Sequence, residues 1–230
     1  MPRGSRINIE GLIYHVINRG NNRQSIFKDE ENYGKYIELL ERYKERYGFK
    51  LYSYVLMNNH VHLLIEAGEK GSISKIMQGI TLAHSRYYNL KNKTSGHVWQ
   101  GRFKSPIVGE NSYLLEVSRY IELNPVRANI VKMPEEYHWS SYATHAYGKK
   151  NPLIEDHVYY ESLGKTKEER QAGYREFVKE GLKEGKLKEI RDSVISGKGY
   201  GSEEYLQKVE EAIKVRLRKG RRGRPKKKDM

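Results

Sequence analysis

"LYSYVLMNNHVHLLIE", residues 51–66, consists of two apolar runs joined by Asn58-Asn59. Runs of this composition, bounded by amide-bearing turn residues, read as two strands folded into a tight hairpin. The second arm carries His60 and His62. Successive side chains of a strand alternate between faces, so these two imidazoles stand side by side while Val61 points the other way. From spacing alone two readings stand. The rings share a cation, which requires both to be neutral with their second nitrogens held by hydrogen bonds, or they form a half-exposed strand face beside a turn.

Upstream, "LIYHVINRG" alternates apolar and polar residues and ends in Gly-Asn-Asn, an opening strand over Leu12 to Asn18. Asp29 is a good helix cap, and Tyr33, Tyr36, Ile37, Leu40, Tyr43 and Tyr47 recur at helical spacing up to Gly48. Downstream of the hairpin a second helix is predicted from about Ser72 to Leu90. "TSGHVWQGRFKSPIV" reads as a hairpin or loop with a strand. "NSYLLEVSRYIEL" reads as a third helix from the cap Asn111, limited by Pro125. The order strand, helix, strand, strand, helix, strand, helix predicts an α+β fold: a ferredoxin-like antiparallel sheet with helices packed on one face.

After residue 148 the chain becomes charged and helix-prone. Three parts are expected: residues 1–148 as the principal domain, 149–213 as a helical C-terminal appendage, and 214–230 as a basic tail that is mobile when unbound. The tail holds ten basic residues and one acid, and so supplies +9 of the formal net charge of +14. Such an excess points to a polyanionic partner. No apolar run approaches the roughly 18 to 20 residues of a spanning helix, and the start lacks a signal-peptide core, so no membrane partner is expected. The absence of cysteine excludes disulfides, thiolate catalysis and zinc-cysteine sites, and suits a cytoplasmic protein.

A third ligand for a cation at the histidine pair would come from elsewhere, with His84, His97, Glu66, Glu116 and Asn124 as candidates. In "SRYIELNPVRA", Tyr120 and Asn124 lie four apart, on one face of a helix that runs almost to Pro125.

Taken in order, "YHVINRGNNRQSIF", "LMNNHVHLLI", "HVWQGRFKSPIV", "YIELNPVRANIV" and "WSSY" resemble the single-tyrosine HUH transposases, in the branch called REP-associated tyrosine transposases, over about residues 10–142. HUH denotes His, bulky apolar, His, here His60, Val61 and His62. The resemblance implies a bacterial, nucleoid-associated enzyme that cuts and rejoins single-stranded DNA beside hairpins formed by repetitive palindromes. It implies Tyr120 as nucleophile, His60, His62 and the amide of Asn124 as ligands of a divalent metal, Mg or Mn, and a covalent 5′-phosphotyrosine intermediate. Imidazole ligands by themselves suit Zn, Mn or Fe better than Mg.

Arg102 and Lys104, expected on one strand face, and Arg19 and Arg23, flanking the first turn, are candidate DNA contacts or a solvated rim. Trp99 and Phe103 either stack bases or belong to the core. Arg222-Gly223-Arg224-Pro225, followed by Lys226 and Lys227, resembles the core of an AT-hook. The competing functional reading is a non-catalytic DNA-binding protein, a repressor or architectural factor on the same fold, and a metal-dependent RNA hydrolase is a third. Monomer and homodimer both remain open.

Overall fold

A computed structural model describes residues 11–109 and 112–218. Strand β1 (Ile13–Arg19) leads through a short turn into helix α1 (Glu30–Tyr47), followed by the hairpin β2 (Lys50–Met57) and β3 (His60–Glu66), helix α2 (Ile73–Asn92) and the two-residue strand β4 (Ile107–Val108). All pairings are antiparallel and the order across the sheet is β2-β3-β1-β4. This is the expected α+β, ferredoxin-like arrangement. Asn58-Asn59 forms the hairpin turn, as the sequence suggests.

Local chemistry sets the helix ends. The Asp29 carboxylate accepts from the Asn32 amide at 2.9 Å, and Gly48 closes α1 at φ 63°, a left-handed value that glycine adopts without strain. Ser72 caps α2 by accepting from the Lys75 amide at 3.3 Å. Where α1 and α2 cross, a Cβ on Gly79 would lie 2.3 Å from the Tyr43 ring, so a larger residue would push the helices apart.

The sheet has two covered faces. Tyr14, Val16, Leu56, Val61, Leu63 and Ile65 form the main core with the buried stripes of α1 and α2. Ile13, Val55, Met57, Leu64 and Val108 pack on the other face against Leu114, Val117, Tyr120 and Ile121 of helix α3 (Ser112–Glu122). The two helices of the ferredoxin-like unit thus share one face as expected, and α3 covers the other. The proposed cap Asn111 lies outside the described residues.

Behind α3 the chain continues through the single turn α4 (Asn124–Arg127) to α5 (Tyr142–Tyr147), α6 (Val158–Glu161), α7 (Lys167–Lys179), α8 (Glu184–Ser196) and α9 (Glu203–Ile213). These residues are packed against the sheet unit. The backbone of Glu155 donates to Leu51 beside the β2 edge, and Tyr200 exchanges bonds with Ile107 and Gly109 beside β4. The fully buried Glu122 carboxylate accepts from Ser141 Oγ at 2.5 Å, His145 Nδ1 at 2.8 Å and Tyr174 Oη at 2.7 Å. Arg119 donates to the Phe177 carbonyl at 2.6 Å, with its guanidinium 3.9 Å from that ring's centre. Helix α3 is therefore held between the sheet and α5–α7.

A buried carboxylate with three donors is costly to remove because the donors are left unpaired. Glu122→Ala is expected to lower stability by about 3 kcal/mol. Urea denaturation should show this as a lower midpoint at unchanged slope, and an unshifted midpoint would contradict the role given to the carboxylate.

Candidate functional site

The pleat of β3 sends Val61, Leu63 and Ile65 into the main core and leaves His60 and His62 on the face covered by α3. Cross-strand register places Arg19 opposite His60 and Ile17 opposite His62, and Lys104 is bridged to Ile17. The two imidazole centres are 5.1 Å apart with planes at 74°, a spacing at which both could reach one ion given metal–nitrogen bonds of about 2.0 to 2.2 Å.

Each ring has one nitrogen already engaged. Asn59 donates through Nδ2 to the Arg23 carbonyl at 3.2 Å, so its Oδ1 is the acceptor that faces His60 Nδ1 at 2.6 Å. His60 therefore carries its proton on Nδ1, which leaves the Nε2 lone pair for a ligand. His62 Nδ1 lies 2.9 Å from Nε2 of His15, a buried β1 residue. Burial, reinforced by the charge of Arg19, lowers the His60 pKa to about 4. Burial, then the neighbouring His15, His60 and Arg127, holds His62 well below its ordinary value. His15 falls to about 3, through burial and then Arg127. At neutral pH all three rings are uncharged, the form that binds metals.

Tyr120 comes to this face from the last turn of α3. Its ring is edge-on to His62 at 5.9 Å and to His15 at 5.7 Å between centres. Pro125 cannot donate to the Ile121 carbonyl, and the helix breaks at Leu123. Side chains take over the freed backbone groups. Asn124 Nδ2 donates to the carbonyls of Tyr120 at 3.0 Å and Ile121 at 3.1 Å, and Arg127 Nη2 donates to that of Tyr120 at 2.7 Å. With its amide nitrogen so employed, Asn124 keeps Oδ1 as the atom able to ligate. The Arg127 guanidinium also sits 4.2 Å from the Tyr120 ring centre. Burial lowers its pKa to about 10, so it is still cationic at neutral pH.

Of the other candidates for third ligand, the two glutamates are paired with other groups and the two histidines lie on α2 and on a loop. His84 is buried among Phe27, Tyr36 and Trp99. Glu66 binds Lys50 and Tyr52, and Glu116 binds Tyr200 and Lys186. His97 is exposed on the loop before Trp99. Among the described residues no group of three or more His, Cys, Asp or Glu could hold a metal ion, so a third ligand drawn from them would be of another kind, such as the amide of Asn124. The donor chemistry otherwise fits a divalent cation: two neutral imidazoles with fixed second nitrogens and a free amide oxygen.

Arg19, Arg23, Arg102 and Lys104 are all exposed. Lys104 pairs with β1, but Arg102 lies in a bend after Gly101 rather than on the same strand face, because Gly101 adopts φ 60°. Trp99 is buried and Phe103 partly buried against the main core, which makes both core residues. Arg222, Arg224, Lys226 and Lys227 lie outside the described residues. His15 and Arg127 touch His62 and Tyr120, and the sequence pattern did not single them out. His15 looks like the polar half of an alternating strand, whereas the spacing of Arg127, seven residues after Tyr120 and so two helical turns on, was a usable signal.

The profile of the family described as "Transposase IS200 like" matches residues 8–124. The chain belongs to that family, whose work is DNA transposition. No curated protein matches it. Among solved structures it resembles a REP-associated tyrosine transposase bound to a REP hairpin, with 19% identity over 69% of this chain and 93% of that one, at a TM-score of 0.53. This is a likeness of fold. A candidate transposase from Deinococcus radiodurans R1 is 20% identical over 60% of this chain and 97% of that one, but its TM-score of 0.36 is too low to add to the argument. Among the described residues no helix is long and apolar enough to cross a membrane.

Depressed histidine pKa values make stability depend on pH. The unfolded chain binds protons at these residues near pH 6.5 while the folded chain resists until about pH 4 at His60 and His84 and about 3 at His15. Stability from these groups is fully present above pH 6.5 and is lost as pH falls toward those values. The denaturation midpoint at pH 5 is expected below that at pH 7.5, with the difference reduced in His84→Leu. Equal midpoints would show that the rings are not held neutral.

Proposed function

We propose that this chain is a DNA strand transferase that cuts single-stranded DNA beside a hairpin with Tyr120 as nucleophile and His60, His62 and Asn124 as the ligands of a divalent cation, Mg or Mn. The observation that carries this reading is the edge-on packing of Tyr120 against His62 within one chain. When bound, the cation would polarise the scissile phosphate and draw negative charge from its oxygens. The phenolic oxygen forms a bond to phosphorus as the bond from phosphorus to the 3′-oxygen breaks. The phenolic proton passes to solvent, the released 3′-oxygen takes a proton from solvent, and the departing strand ends in a 3′-hydroxyl. The remaining strand is held as a 5′-phosphotyrosine, whose bond energy lets another 3′-hydroxyl reverse the step and join strands without ATP.

The protein's own residues order the reacting group. Asn124 and Arg127 fix the Tyr120 backbone, and Arg127 lies over its ring. Arg19 and Lys104 give the same face positive charge beside the histidines, suited to the approach of a phosphate backbone. A hairpin-bound transposase of the same fold supports hairpin DNA as the substrate class.

Incubation of end-labelled hairpin DNA carrying a single-stranded flank with Mn is expected to give a protein–DNA adduct that survives denaturation. Tyr120→Phe should lose the adduct, and cleavage that persists in this variant without an adduct would indicate a water-using nuclease instead. Hairpin binding with no adduct or cleavage at all would favour the non-catalytic reading.

The basic tail is assigned to DNA backbone and minor-groove contacts. Leu217 and Arg218 bond to Glu210, so the cut that spares described structure falls after residue 218. Deleting residues 219–230 removes seven basic side chains. Every phosphate that the tail no longer neutralises should flatten the plot of log affinity against log salt by about 0.9. Adduct formation on a short hairpin should survive the deletion, and an unchanged salt slope would refute the tail's role.

A further inference from the structure

We propose that His15 is a positioning residue for the metal site: its Nε2 accepts the Nδ1 proton of His62 and so keeps the His62 Nε2 lone pair turned to the cation. This rests on the reading of His60 and His62 as ligands.

Position 15 is 1% exposed and lies in β1 on the same sheet face as Ile13 and Ile17. A strand interior of this kind favours an apolar side chain, and burying an imidazole there is unfavourable unless its nitrogens are paired. His15 is only half paired. Its Nε2 meets His62 Nδ1 at 2.9 Å, whereas its Nδ1 is buried without a partner. His84, buried in the main core, pairs neither of its ring nitrogens. The one bond that His15 makes is to a ligand ring.

The contact is also geometrically restrictive. His15 and His62 lie with ring centres 5.1 Å apart and planes at 28°, and Tyr120 closes the third side, edge-on to both rings. Rotation of His62 about its side chain would break the nitrogen–nitrogen contact. Asn59 does the corresponding work for His60, so each ring of the pair has its own acceptor on the nitrogen that does not ligate. The two acceptors are alike in being neutral. A carboxylate in that place would raise the basicity of the ligand and add negative charge beside an incoming phosphate. An imidazole and an amide orient the rings while leaving the charge of the cation to the DNA.

The test uses the full chain and reads metal affinity, not activity alone. Mn binding is titrated without DNA by the decrease of the free-ion paramagnetic resonance signal, for wild type, His15→Phe and His15→Gln. Phe matches the ring and cannot accept, and a Gln amide oxygen can. His15→Phe is expected to weaken Mn binding about 10- to 100-fold, with His15→Gln recovering most of that affinity and metal-free hairpin binding unchanged in both. Wild-type affinity in a folded His15→Phe would overturn the proposal. Nitrogen NMR of the wild-type protein gives a readout that does not depend on how the variants fold: His62 must carry its proton on Nδ1, and a proton on Nε2 would overturn the assignment. The underlying metal reading fails separately, if His60→Ala/His62→Ala binds Mn as tightly as wild type.

Discussion

The alternation of β3 between two covered faces is the constraint on which the rest depends. Val61, Leu63 and Ile65 must fill the space under α1 and α2, and this fixes His60 and His62 on the opposite side. A slip of one residue would drive two imidazoles into the main core and turn three aliphatic side chains toward α3, so the register that fills the main core also presents the site. The cross-strand neighbours follow from the same register. Arg19 falls beside His60, and His15 reaches His62 from the adjacent strand.

The proposed chemistry also requires a nucleophile over that face, and Tyr120, the residue proposed for it, sits on a helix confined on two sides. Six consecutive residues of α3, Val117 to Glu122, are buried. Val117, Tyr120 and Ile121 face the sheet, while Arg119 and Glu122 are tied to α5 and α7 through Phe177, Ser141, His145 and Tyr174. The segment after residue 148 therefore supports the site at one remove. It also supplies backbone partners beside both outer strands, where unpaired groups would otherwise invite another sheet.

Much of this was legible in the chain itself. The hairpin, α1 with its Asp29 and Gly48 ends, α2 and the succession of elements along the chain follow from local signals, because alternation, helical periodicity and caps are all short-range. The face chosen by α3 was not legible. An amphipathic pattern says that a helix buries a stripe, not which side of a sheet receives it. Arg102 was misplaced for a related reason: a basic, aromatic alternation read as strand is interrupted by the left-handed turn at Gly101. Of the site, the histidine pair and Tyr120 were visible as motifs, whereas His15 is set by register across 47 residues and leaves no local trace.

On the proposed reading, His60, His62 and Tyr120 of one chain gather around one cation. Anomalous scattering from crystals of the Tyr120→Phe protein with Mn and hairpin DNA measures this most directly. A single strong peak is expected, bonded to Nε2 of both histidines, with a phosphate oxygen on the ion and the ring of residue 120 facing the same phosphate. A peak bonded through Nδ1, an ion held away from the histidines, or a ring at position 120 turned from the phosphate would contradict it.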